Sequence, residues 1–279
     1  MSQQPTCALI AAIEGNLNNT NMRTNVVTKP RLFEAEAIRC FTAWRKRGGW
    51  LKDIPIYAVC PTTNGISEDT KREFFNLGVQ YIEEYFSETD TFTNGFLNSP
   101  FIGKIMEKRL TEDVLIKIDL DMVLVKPLPH SLVFDHDIVC GQYDDYCTSN
   151  QRSLPNGWNN PLDTSLMITK RTLGFYEFFF SAVEQLISTH DDVWETIKAI
   201  TGEYFLEEYL MDKIFHSNRW NITPIQRYQL GECYTPVRLL SDEELDAVYF
   251  WHEHITPGVV NDTIRQRIEY FNRTKRMPL

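Results

Sequence analysis

Short, unbroken apolar runs, separated by stretches with helical periodicity, constrain this chain most. Residues 7–13, 54–60, 79–82 and 114–118 are apolar along almost their whole length. A strand solvated on one face alternates apolar with polar residues, whereas one buried on both faces does not. The runs therefore predict strands of a sheet covered on both sides. Between them lie a 3.6-residue pattern over 31–46 stopped by Gly48 and Gly49, a helix opened by Ser67 and stopped by Gly78, and a third helix over 100–110. Serine at a helix start and glycine just past its end satisfy the unpaired backbone groups there. Strands alternating with helices predict an α/β fold: a mostly parallel central sheet flanked by helices.

The second half is less regular. Residues 137–141 and 165–168 predict strands. The segment 142–163 between them, rich in Asp, Asn, Pro, Ser and Gly, predicts a long surface loop. That loop carries Trp158 with Asp144, Asp145, Asn159 and Asn160, side chains suited to stacking on and hydrogen-bonding to a sugar. Helical patterns follow over 171–188, 191–199 and 203–216, and a last apolar strand over 247–251. No repeat or linker divides the chain, which predicts one domain over 1–279.

Charge and cysteine usage exclude several classes. The formal net charge is −10 and no tract is dense in Lys or Arg. Nucleic-acid binding needs clustered basic residues to neutralise phosphates, so that class is disfavoured. The apolar run at 7–13 is too short to span a bilayer and no basic region precedes it, which predicts a cytoplasmic protein without an integral membrane segment. Six cysteines include no C-x-x-C pair, so a zinc knuckle is disfavoured and the thiols read as reduced and structural.

Chemistry concentrates at Asp119-Leu120-Asp121, which directly follows the apolar run 114–118. Side chains two apart on an extended segment point the same way, so two carboxylates would project together from a strand end. Ligands of open α/β sheets bind outside the carboxyl ends of the strands. Hard cations such as Mg²⁺ take one or two carboxylates plus substrate phosphates. The placement predicts a metal–phosphate site, although a solvated acidic turn would read the same. The last strand runs into His252, Glu253 and His254. Two histidines at strand spacing can add imidazole to a carboxylate site, with Glu253 turned away. The spacing differs from the helical H-E-x-x-H of zinc proteases.

A third feature lies on the helix over 203–216. Leu206, Leu210, Met211, Ile214 and Phe215 form its apolar arc, and Glu207 falls inside that arc, while Glu208 and Asp212 fall on the polar side. A carboxylate on a buried face must be paired, hydrogen-bonded or protonated, and desolvation raises its pKa towards values useful to a general base. Glu208 is the alternative should the helix phase slip.

Taken in order, these segments resemble the GT-A glycosyltransferases, which use nucleotide-sugar donors. The resemblance rests on the first strand 8–13, the helix start containing Lys104, the strand ending in Asp119-Leu120-Asp121, and a late strand delivering His252. It implies a GT-A fold with a nucleotide-sugar-binding half over 1–130 and an acceptor-binding half over 131–279. It further implies Asp121 and His252 as ligands of Mn²⁺ or Mg²⁺, with Asp119 reaching the metal or the ribose, and His254 in reserve. Ala12 and Ile13 would line the nucleoside pocket, with Leu120 between the aspartates, and Lys104 would pair with a phosphate or a sugar hydroxyl. Asp163 would contact the donor sugar, although Asp163 and Ser165 stand where the family pattern has Asn and Gly. The implied partners are a nucleotide-sugar donor and a carbohydrate or glycoconjugate acceptor. Inversion would call for Glu207 or Glu208 as base; retention would not. A sugar-nucleotide nucleotidyltransferase is a rival reading, but residues 14–18 lack its glycine-rich basic loop. A catalytically inactive glycan-binding domain is the non-enzyme rival.

Overall fold

In a computed structural model the described residues are 5–13, 20–21, 26–27, 32–61, 65–84, 98–142, 162–189, 206–231, 239–252 and 262–276, with residues 192, 195, 196 and 199. In chain order the elements are β1 (Cys7–Ala12), a small ribbon of β2 (Thr20–Asn21) and β3 (Val26–Val27), α1 (Leu32–Arg47), β4 (Ile56–Cys60), α2 (Glu68–Asn76) and β5 (Val79–Glu83). Next come α3 (Asn98–Arg109), β6 (Val114–Ile118), β7 (Met122–Leu124), α4 (His130–Phe134), β8 (Ile138–Gln142) and β9 (Leu162–Lys170). The remainder comprises α5 (Phe175–Thr189), α6 (Leu206–His216), β10 (Ile222–Gln226), α7 (Asp242–Asp246), β11 (Phe250–His252) and α8 (Asp262–Arg273).

The apolar runs form one seven-stranded sheet in the order β10-β8-β9-β6-β1-β4-β5. All neighbouring pairs are parallel except those of β9, which runs against both β6 and β8. The chain is thus α/β, with a mostly parallel mixed sheet flanked by helices. Alternate side chains enter two apolar layers, as the strand period of two requires. Leu9, Ala11, Ile116 and Ile118 pack with Phe41 and Trp44 of α1; Ala8, Ile10 and Leu115 pack with Ile102, Phe175, Phe179 and Leu210 of α3, α5 and α6. Full burial of each leucine, isoleucine or phenylalanine among them contributes roughly 1.5–3 kcal/mol. Among the described residues, no helix is long and apolar enough to cross a membrane.

Several strands depart from the sequence expectation: β2, β3 and β7 are additional, and the last strand starts at Phe250 rather than 247, because residues 247–249 follow the short helix α7 as a turn and an irregular stretch. The β9 strand begins at Leu162 rather than 165, and is buried through Thr169 despite Asp163, Thr164 and Ser165. Those polar groups are satisfied by hydrogen bonds within the site described below. An unexpected strand, β10, contains Pro224 and occupies the sheet edge. Proline has no N–H for the ladder, so an edge is where a strand tolerates it. Cys7, Cys40, Cys60 and Cys140 are buried and lie outside any disulfide; Cys147 and Cys233 lie outside the described residues.

Candidate active site

The strand β6 ends at Ile118, and the chain then turns. Met122 N–H donates to the Asp119 carbonyl at 3.2 Å, closing a tight turn with Leu120 and Asp121 at its tip. Strand alternation therefore ends at Ile118, and the two aspartates take different neighbours. The turn feeds β7, which pairs antiparallel with β11 so that His252 stands opposite Met122. This register brings His252 Nε2 within 3.3 Å of Asp121 Oδ1, with the imidazole 1% exposed. Behind it, the Gly231 carbonyl accepts from His252 N–H at 3.4 Å and from the buried Arg267 of α8 at 2.8 Å. Gly231 has φ 77, and an added Cβ would lie 1.7 Å from the Phe250 carbonyl oxygen, so no other residue fits there.

Asp119 faces a buried lysine. Lys117 points to the same side of β6, and its Nζ donates to Asp119 Oδ1 at 2.9 Å and to the Thr164 carbonyl at 2.8 Å. Glu207 Oε2 lies 3.9 Å from the same ammonium and accepts from Thr164 Oγ1 at 2.9 Å. Reversal of β9 creates this meeting. Because that strand runs antiparallel, its first residues lie against the last of β6, and Asp119 N–H donates to the Ser165 carbonyl at 2.9 Å. Asp163 joins the cluster but turns Oδ1 onto its own strand, accepting from Ser165 N–H at 2.8 Å and from Ser165 Oγ. Gly141 permits the approach of β8, since a Cβ there would sit 2.8 Å from Asp163 Cβ.

The electrostatics follow from one cation among several carboxylates. Burial alone would lower the Lys117 pKa, but Asp119 and Glu207 overcome it and hold the ammonium above its ordinary value. Burial pushes Glu207 up to about 7; Lys117 opposes the shift, while Asp119 and Asp163 add to it. Glu208, half-buried, is pushed to about 8 by burial and by the Glu207 charge. Burial also raises Asp119, Lys117 opposes that shift, and Asp121 adds to it. The Asp119 side chain nevertheless keeps 42% of its surface open. A group crowded by protein yet open at one side lies in the wall of a cleft.

Some of the residues expected at the site are brought together and others are not. Ala12 ends β1 beside this cluster, since Ile10 is level with Lys117 and continuing that register sets Ala12 level with Asp119; Ile13, just past the strand, is buried in the opposite layer with α1. Leu120 and Asp121 line an open cavity of about 150 Å³ whose far wall is Leu32, Ala35, Glu36 and Arg39 of α1. Lys104 is not at the cluster. Its ammonium lies 3.6 Å from Glu177 Oε1 and over the Phe180 ring, because α3 packs along α5. Asp212, expected on a polar face, is buried with Oδ1 3.3 Å from His216 Nε2, since α6 is covered around most of its circumference. Glu253, His254, Trp158, Asp144, Asp145, Asn159 and Asn160 lie outside the described residues.

Lys117 is a member of the cluster that the sequence expectation lacks. The signal was present: a lone lysine in a run buried on both faces must find carboxylates or carbonyls. Among the described residues, no three His, Cys, Asp or Glu side chains are grouped to enclose a cation by themselves. Asp121 and His252 do fit as a pair. Two donors on adjacent corners of an octahedron with bonds of about 2.1 Å would stand about 3 Å apart, close to the 3.3 Å observed. A cation held there would need oxygens from a ligand, as phosphate-bound Mg²⁺ and Mn²⁺ commonly do. No protein-family model matches the chain, and comparison with curated proteins gives no match.

Proposed function

We propose that the protein is a metal-dependent glycosyltransferase of the GT-A fold, moving a sugar from a nucleotide-sugar to a hydroxyl of a carbohydrate acceptor. The observation that carries the reading is the 3.3 Å approach of His252 Nε2 to Asp121 Oδ1. It lies just beyond the carboxyl end of β6, where ligands of such sheets bind. In this reading Asp121 and His252 hold Mn²⁺ or Mg²⁺ against the donor diphosphate, and the end of β1 at Ala12 and Ile13 lines the nucleoside pocket. The bound cation supplies positive charge against the leaving nucleoside diphosphate.

Glu207 serves as the general base in an inverting reaction. Thr164 and Lys117 fix its carboxylate, and a value pushed to about 7 places its proton uptake in the working range of such a base. Glu208 is the second choice because it is the less buried of the two.

A thermal-shift screen of nucleotide-sugars with and without Mn²⁺ tests the assignment. One donor should stabilise the protein only with metal, and Asp121→Ala should abolish the effect. Indifference to every nucleoside diphosphate would instead favour the rival reading of a catalytically inactive glycan-binding domain.

A further inference from the structure

We propose that Lys117 is a positioning residue, a built-in cation that keeps the Asp119 carboxylate out of the metal's coordination sphere and leaves Asp121 and His252 as the protein ligands. This rests on the glycosyltransferase reading and assigns different tasks to the two aspartates, which the sequence pattern treats alike. An ammonium has three N–H donors in a fixed tripod. One goes to Asp119 Oδ1 at 2.9 Å, another to the Thr164 carbonyl at 2.8 Å, and Glu207 Oε2 stands 3.9 Å away. The Lys117 side chain is 2% exposed. Its stem is buried against the face of the sheet, and two hydrogen bonds at once hold the ammonium beside Asp119. Asp121, two residues on and past the turn, faces the imidazole instead.

Lys117 also ties the donor side to α6, because the same ammonium faces the carboxylate of Glu207. A charge fixed this way is costly to bury unless its partners stay in place, so each anchor holds the others.

The test is Mn²⁺ titration of the full chain, followed by electron paramagnetic resonance, at a fixed saturating concentration of inorganic pyrophosphate, which supplies the oxygens that Asp121 and His252 leave open. Asp121→Asn should abolish binding. Asp119→Asn should weaken it by only about tenfold, the scale of a through-space charge at several ångströms. Lys117→Met should tighten Mn²⁺ on the order of tenfold, by uncovering Asp119 and removing a repelling charge. In the Lys117→Met background, Asp119→Asn should then cost more than it does alone. A merely structural lysine predicts the opposite, because a loosened site would bind metal more weakly. Should Lys117→Met not fold, Lys117→Met with Glu207→Gln removes one charge of each sign, and the Asp119→Asn arm stands by itself. Loss of Mn²⁺ in Asp119→Asn equal to that in Asp121→Asn overturns the proposal while leaving the metal site intact. A wild-type chain that binds no Mn²⁺ overturns both.

Discussion

His252 Nε2 and Asp121 Oδ1 stand 3.3 Å apart because β11 pairs with β7 immediately after the turn that carries Asp121. The pairing register, rather than side-chain flexibility, sets this contact. Shifting a strand by one residue would turn the imidazole to the opposite face.

Replacing His252 by Ala should therefore remove metal-dependent stabilisation by the donor. At a hundredfold excess over Kd, a ligand adds about 2.7 kcal/mol to the folded state. Differential scanning fluorimetry with Mn²⁺ and a nucleoside diphosphate should show a rise of several degrees in the wild type and none in His252→Ala.

The activity of an enzyme using Glu207 as base should rise with pH through about 7, as that carboxyl loses its proton. Glu207→Gln should lower kcat by roughly 10²–10⁴ and abolish the inflection. An inflection near 8 that disappears in Glu208→Gln would move the role to Glu208.

The same group makes stability depend on pH in the opposite sense. Its folded-state pKa of about 7 exceeds its ordinary 4.5, so the folded state binds the proton more tightly. The contribution is fully present below about 4.5 and is lost as pH rises through 7. Melting temperatures of Glu207→Gln across this window should fall less steeply with pH than those of the wild type.

Gly231→Ala should be among the most damaging small substitutions. The φ of 77 and the 1.7 Å approach to the Phe250 oxygen oppose any Cβ, and the left-handed conformation alone costs about 1–2 kcal/mol. A drop in melting temperature together with loss of the Mn²⁺ response would show that the strand of His252 has moved.

Lys104→Ala, by contrast, should leave the donor KM unchanged and cost about 0.2–1 kcal/mol, as for other partly exposed ion pairs. A large rise in KM would return Lys104 to the donor site despite its contact with Glu177.

The strands β1, β4 and β6 are legible in the sequence because residues buried on both faces leave continuous apolar runs. The early start of β9 is not, because Asp163, Thr164 and Ser165 read as loop residues until Lys117 and Glu207 are placed beside them. Pro224 hides β10 for a similar reason: its acceptability depends on the edge position, which is set by the fold. The aspartates and His252 were recognisable by residue type and spacing, and Glu207 by helix phase. Their grouping depends on a turn and on the strand β9, which runs against its neighbours. The inward face of Asp212 could not be read from helix phase, since neighbouring elements cover α6 beyond its apolar arc.

Arg267 of α8 donates to the Gly231 carbonyl that also receives the His252 amide. During synthesis, this carbonyl gains its second donor only after residues near 267 have left the ribosome and folded back. A nascent chain can thus complete its seven-stranded sheet, whose last strand ends at Gln226, before the backbone behind His252 is fully held. Any competence that depends on this imidazole would begin late in translation.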